Sequence, residues 1–251
     1  MSIASDFVRL CASLAVPRAV LNRGPCLLGT RYLAAEALKS LSGGKRPFQM
    51  VNVGACDGLL FDDVTPWLNR IRGSRALLVE PIPYNQVRLR ANYPDTSRFI
   101  VEPVAVTPAG GAITVKTFEA EALESGKLPI EFIGCSSITE SNLMSGKNVW
   151  GEDDPNFSKF APYLKEIEVP GERLQTLLDR NNITYIDAFL VDCEGADWIV
   201  FEQLDLARYR PGMIKVEIGS LSALDIGNVL VKLETAGYRV GIYREDVWAF
   251  A

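Results

Sequence analysis

The residues able to do chemistry in this chain are carboxylates and glycines placed where apolar runs end. VNVGACDG (51–58) closes one run with Gly54 and Gly58 set around Asp57. Glu80 ends RALLVE (75–80), 22 residues beyond Gly58. VDCEGADW (191–198) ends a third run with Asp192, Glu194, Gly195 and Asp197, and Glu217 stands near the end of MIKVEI (213–218). Glycines after a strand let the backbone approach a ligand closely. A carboxylate ending the next strand can accept hydrogen bonds from both ribose hydroxyls of a nucleoside. Carboxylates gathered in one cleft raise one another's pKa, which leaves one able to act as a base.

Composition removes whole classes of mechanism. The chain of 251 residues has no histidine, so Ser-His-Asp hydrolysis, Cys-His proteolysis and histidine-ligated zinc or iron are all excluded. Its five cysteines, Cys11, Cys26, Cys56, Cys135 and Cys193, are scattered without a CxxC pair and read as reduced thiols of a cytoplasmic protein. A net charge of -5 argues against nucleic acid or an anionic membrane as a general partner. No apolar run reaches the roughly 18–20 residues of a membrane span. Asp6 and Arg9 interrupt the only stretch resembling a signal peptide.

The elements that must position these groups follow from periodicity. Strands are expected at 48–53, 75–80, within 98–106, and at 113–118, 165–171, 186–192, 213–218, 238–243 and 247–250. Helices are expected at 3–15, 30–41, 60–72, 83–92, 172–181, 197–204 and 222–236. Strand–helix alternation calls for a parallel sheet covered on both faces, and the last two strands lie too close for a crossover, so they should form an antiparallel hairpin. The stretch 119–165, rich in Gly, Pro, Ser and Asn, has little periodicity and reads as a functional loop. The expected organisation is an N-terminal helical segment (1–45) and a main domain (46–251) interrupted by an insertion at about 113–170.

Glycine spacing separates two cofactors. A dinucleotide loop is GxGxxG and seats a pyrophosphate on a helix start. Here the pattern is GxxxG with Asp57 inside it; that carboxylate would repel pyrophosphate but suits the cationic amino-acid end of S-adenosylmethionine. VNVGACDG, LLVEPIPYNQVRLRANYPD (77–95), PVAV (103–106), CSSI (135–138), VPGERLQTLLD (169–179), FLVDCEGADWIVFEQLD (189–205) and IKVEI (214–218) together resemble the FkbM-type methyltransferases, from about residue 48 to the C-terminus. The resemblance implies a Rossmann-like class I methyltransferase sheet of seven strands, S-adenosylmethionine as donor, and a hydroxyl acceptor on a sugar, lipid or natural product. It also implies that Asn52, Gly54, Ala55, Asp57 and Gly58 form the first donor loop and that Glu80 with Pro81 holds the ribose. Ile82 would pack by the adenine, and Val104 with Ala105 would close its slot. Two departures stand out: Cys56 replaces an Asn found in many members, and Ile218 follows Glu217 where many carry a histidine, so a mechanism needing that histidine cannot operate.

In such a fold Asp192 should face the reacting methyl, with Glu217 beside it. Three readings of the acidic cluster follow: Asp192 or Glu194 as general base, a divalent cation held by Asp192 and Glu217, or Glu194 and Asp197 as structural groups with Asp197 capping a helix. Ser136 and Ser137 either line the acceptor pocket or form turns. Trp150, Phe157, Phe160 and Tyr163 either stack on an acceptor or form the insertion's own small core. The expectation is therefore an O-methyltransferase with a lid-like insertion. The rivals are a Rossmann-type nucleotide-binding oxidoreductase, against which the missing YxxxK pair counts, and a catalytically silent methyltransferase-like binding protein. The partner expected is a small-molecule acceptor, whose identity the sequence does not carry; nor does it carry the oligomeric state.

Overall fold

The computed structural model describes residues 24–41, 46–136 and 157–251. In chain order the strands are β1 (Gln49–Val53), β2 (Arg75–Val79), β3 (Phe99–Glu102), β4 (Ala105–Val106), β5 (Gly111–Phe118), β6 (Leu164–Glu172), β7 (Ala188–Val191), β8 (Met213–Glu217), β9 (Arg239–Tyr243) and β10 (Asp246–Phe250). The helices are α1 (Gly24–Leu41), α2 (Pro83–Asn92), α3 (Ala120–Glu124), α4 (Phe157–Phe160), α5 (Leu174–Arg180), α6 (Asp197–Phe201) and α7 (Ala223–Thr235).

Seven strands make one sheet in the order β3-β2-β1-β7-β8-β10-β9. The first five of these pair in parallel, with Val51 opposite both Leu77 and Phe189. β10 runs antiparallel to both β8 and β9, so the expected hairpin is present with its second strand inserted between β8 and the edge. Side-chain alternation divides the core between the faces. Val51, Val53, Phe189, Val191, Ile214 and Val216 pack against α5, α6 and α7 through Leu177, Phe201, Val229 and Leu233. Met50, Ala188, Leu190, Met213 and Trp248 face the other way, toward Leu33, Ala34 and Ala37 of α1 and toward Trp67 and Leu68. A second sheet of order β4-β6-β5 stands apart.

The stretch 98–106 contains the expected third strand, β3, which ends before Pro103, a residue with no N–H for a ladder; β3 joins the main sheet and the short β4 beyond it joins the small one. One expectation is corrected: the helix expected at 60–72 is a chain of turns ending in a 3-10 helix at Thr65–Asn69. Its apolar period is real, since Val64, Trp67, Leu68 and Ile71 are buried. However, Asp57 takes the Leu59 and Leu60 N–H groups, Asp62 takes those of Val64 and Thr65, and Phe61 has φ 60. Side-chain acceptors thereby replace the helical carbonyls. The helix expected at 30–41 begins at Gly24, with Pro25 in a first turn that needs no N–H. The helix expected at 3–15 lies outside the described residues. No helix among the described residues is long and apolar enough to cross a membrane.

Candidate active site

The carboxyl ends of β1, β2, β7 and β8 come together at one rim of the sheet. Gly54, with φ 83, makes the turn out of β1; a Cβ there would sit 1.7 Å from the Asp192 carbonyl oxygen, so only glycine lets the β1 and β7 ends meet. The N–H groups of Gly54 and Ala55 both donate to the Val79 carbonyl at 2.9 and 3.0 Å, which ties the loop to the end of β2. Beyond it Glu80 is 4% exposed. Its Oε2 accepts from the Cys56 N–H at 2.8 Å, and its Oε1 accepts from the Ile82 N–H at 2.8 Å and from Asn85 Nδ2 at 3.5 Å. Burial pushes the Glu80 carboxyl up to about 7, while those three donors pull the other way. A carboxylate has about four acceptor sites, so capacity remains for hydroxyl donors.

Helix α2 clamps the loop from behind. Arg88 pairs with Asp57 Oδ2 at 3.1 Å, Asn92 Nδ2 donates to the Asp57 carbonyl at 2.8 Å, and the Tyr93 hydroxyl donates to the Gly58 carbonyl at 2.8 Å. Gly58 has φ 72, and a Cβ there would strike the Tyr93 ring at 2.4 Å. The sequence reading set Asp57 against a cationic ligand. In the structure it is 1% exposed and already carries two N–H donors and an arginine, so its charge is spent on holding the loop. Asn52 is also buried and points to the opposite face, donating to Thr65 Oγ1 at 2.9 Å and Asp62 Oδ2 at 3.3 Å. Ile82 and Ala105 share a small apolar cluster with Val115 and Val169 between the two sheets, whereas Val104 belongs to the main core.

On the other side of Gly54, Asp192 follows β7 and its N–H donates to the Val53 carbonyl at 3.0 Å. Burial raises the pKa of Asp192, and the Lys215 ammonium opposes that rise. Lys215 lies on β8, one strand across, only 12% exposed at its side chain and 3.0 Å from Asp246 Oδ1. Burial works against its charge, but Asp192 and Asp246 outweigh that and hold its pKa above the ordinary lysine value. Glu194 (φ 48) and Gly195 (φ 100) form a tight left-handed turn. Asp197 closes it by accepting from the Cys193 N–H at 2.8 Å and the Gly195 N–H at 2.9 Å. It therefore ties the preceding turn and does not cap α6. Burial first, then Asp192, pushes Asp197 up to about 7.

Glu217 Oε1 accepts from the Gly219 N–H at 2.6 Å, and its Oε2 is buried without a hydrogen-bond partner. Burial, then the carboxylates of Asp197, Asp192 and Glu194, push Glu217 up to about 9. The cation reading of Asp192 with Glu217 gains no third ligand: among the described residues no group of three or more His, Cys, Asp or Glu is arranged for a metal ion. Cys56 and Cys193 are free thiols raised far from their reactive range by burial, and burial pushes Cys135 up to about 12, so none is set up as a nucleophile.

The segment after β5 reaches this rim. Phe118, Phe132 and Ile133 form a small core against which Cys56, Leu60 and Tyr84 of the β1–β2 side pack. Phe160 and Tyr163 join that core, Phe160 lying 4.8 Å from Phe132, as the small-core reading expects. Trp150 and the Phe157 side chain lie outside the described residues. Ser136 Oγ shares a 2.8 Å hydrogen bond with Thr117 Oγ1; Ser137 lies outside the described residues. Two site residues escaped the sequence reading. Lys215 left a signal, a charge on the inward-facing period of an apolar strand; Asn85 left none.

Residues 52–240, well over half of the chain, match the Methyltransferase FkbM domain family. Among solved structures the chain is similar to methyltransferase FkbM from Methylobacillus flagellatus KT, at 14% identity and a TM-score of 0.47, over 98% of this chain but only 60% of that one. It is also similar to the precorrin-6y C5,15-methyltransferase of Geobacter metallireducens GS-15, at 12% identity over 86% of this chain and 84% of that one, TM-score 0.36. The ribosomal protein L11 methylase of Lactobacillus delbrueckii subsp. bulgaricus resembles it at 8% identity over 88% of this chain and 77% of that one, TM-score 0.35. No curated protein matches it. On the strength of the match across residues 52–240, the chain belongs to the FkbM methyltransferase family.

Proposed function

We propose that this chain transfers a methyl group from S-adenosylmethionine to a hydroxyl oxygen of a small acceptor such as a sugar, glycolipid or natural product. The observation that carries the reading is Glu80, a buried carboxylate at the end of β2, braced by the Cys56 N–H of the first loop and by the Ile82 N–H and keeping acceptor capacity for a ribose hydroxyl. The same loop disfavours a dinucleotide. A pyrophosphate needs free N–H groups at a helix start, but the Leu59, Leu60, Val64 and Thr65 N–H groups are taken by Asp57 and Asp62, and only a 3-10 helix follows.

Bound there, S-adenosylmethionine supplies an electrophilic methyl on a sulfonium sulfur. Glu80 holds the nucleoside, and Gly54 lets the β1 and β7 ends close on it. Asp192, whose rise under burial the Lys215 ammonium opposes, receives the proton of the acceptor hydroxyl. Alignment of acceptor and donor supplies the remainder. The insertion, through Ile133 to Ser136, acts as a lid over this rim. Calorimetry with S-adenosylmethionine, S-adenosylhomocysteine and NAD tests the donor. Binding of both sulfur ligands with no heat from NAD is expected; NAD binding with silence toward the other two would end this reading.

A further inference from the structure

One side chain touches both the carboxylate that the proposed function assigns to the ribose and the segment that leads to Ser136. Asn85 lies in the first turns of α2, buried, and its Nδ2 donates to the Ile133 carbonyl at 3.0 Å while reaching Glu80 Oε1 at 3.5 Å. A carboxamide NH2 has two hydrogens, so one nitrogen serves both acceptors. The other donors to Glu80 are the main-chain N–H groups of Cys56 and Ile82, which no side-chain change removes. Ile133 sits in the 3-10 helix Ile130–Gly134, inside the small core on which Cys56 and Tyr84 pack.

We infer that Asn85 is a positioning residue that couples ribose recognition at Glu80 to the placement of residues 130–136 beside the acceptor. The inference rests on the reading of Glu80 as the ribose carboxylate. Asn85 acts from both ends. Its amide supports the ionised form of Glu80, the form that accepts hydroxyl hydrogen bonds. Its hold on the Ile133 carbonyl also fixes the approach to Cys135 and Ser136, and Cys135 lies within electrostatic reach of Glu194 across the rim. Any shift of Glu80 Oε1 on taking up a ribose hydroxyl is felt by the same nitrogen that holds the segment.

The test is a double-mutant cycle read by calorimetry with S-adenosylhomocysteine as the probe. Asn85→Ala should weaken binding about tenfold, the scale of one hydrogen bond to a charged group. In a Glu80→Gln background the same change should cost less than about twofold, because contacting residues are not additive. Asn85→Asp, isosteric but unable to donate when ionised, should be worse than alanine, and Asn85→Ser serves if alanine fails to fold. Hydrogen exchange gives the second readout: the ligand should slow the amides of 130–136 in the wild type and leave them unchanged in Asn85→Ala. If the wild type binds and Glu80→Gln weakens it, yet Asn85→Ala is additive and the exchange response survives, the coupling is wrong and the ribose reading stands. A wild type that binds no S-adenosylhomocysteine overturns both.

Discussion

Two halves of the same rim treat their carboxylates in opposite ways. On the β1–β2 side, Asp57 carries two N–H donors and Arg88, and Glu80 carries three donors. On the β7–β8 side, Asp197, Asp192 and Glu194 push Glu217 up, Asp192 pushes Asp197 up, and Glu217 keeps one buried oxygen unpartnered. The first half is braced by short hydrogen bonds from backbone and from α2, so its shape is set before anything binds. The second half stores electrostatic cost, with Lys215 as the counter-charge beneath it. A braced half beside a charged, incompletely satisfied one is the division expected when one ligand is constant and chemistry is done on another.

The sharpest way to break that comparison is to add one methyl group to each half. Gly54→Ala drives a Cβ to within 1.7 Å of main chain at Asp192, and no rotamer relieves it. The expected loss is more than about 4 kcal/mol in urea unfolding, or failure to fold. Gly219→Ala meets Glu217 Oε1 at 2.5 Å and Glu245 at 3.0 Å, both side-chain atoms able to move, and should cost about 1 kcal/mol. Equal losses would mean that the β1–β2 half is no stiffer than its neighbour.

Next in size is a crossed pair of substitutions. Asp192→Asn should lower methyl transfer by about 100-fold or more, in the range of general-base catalysis, while the dissociation constant for S-adenosylhomocysteine stays within about threefold. Glu80→Ala should do the reverse, weakening that binding by about 1.5–3 kcal/mol, the scale of hydrogen bonds to a charged group. Calorimetry and a radiolabelled methyl-transfer assay separate the two. Near-normal turnover of Asp192→Asn without metal dependence would leave alignment as the whole mechanism.

How much of this was legible in the sequence depends on range. Helix α2 was expected at 83–92 and is found at Pro83–Asn92, because Pro83 marks its first turn and a Tyr-Pro pair its end. The parallel sheet and its closing antiparallel hairpin followed from apolar runs and their spacing, and the count of seven strands from the family resemblance. The 60–72 region failed because Asp57 and Asp62 look like ordinary loop residues until their carboxylates are seen capturing four backbone N–H groups. Gly54 and Glu80 could be found from local pattern alone. The pairing of Asp57 with Arg88, 31 residues away, could not, and it turns that carboxylate from a ligand group into a brace of the loop. Asn85 is legible only in three dimensions, since Ile133 is 48 residues distant.

The smallest effect expected concerns Glu217 and stability. An unfolded glutamate releases its proton near 4.5, whereas burial and then Asp197, Asp192 and Glu194 hold the native Glu217 proton to about 9, against the Gly219 N–H. Between those values the native state binds more protons than the unfolded one, so stability is full below 4.5 and is lost as pH rises through 9. Glu80 and Asp197, both near 7, add to the fall in its lower part. The wild-type melting temperature should therefore decline from pH 5 to 9. Glu217→Gln keeps the shape and an acceptor for the Gly219 N–H but does not titrate, so its decline from 5 to 9 should be shallower throughout. At pH 8.5 it should melt about 2–4 °C higher, corresponding to about 1 kcal/mol in a chain of this size. Near pH 5 the two curves should meet, since the native glutamate is then protonated too. Glu80→Gln should flatten only the window from 5 to 7. Parallel curves for Glu217→Gln and wild type, measured by scanning calorimetry, would show that the β7–β8 rim carries no stored electrostatic cost, and the contrast between the two halves would fall.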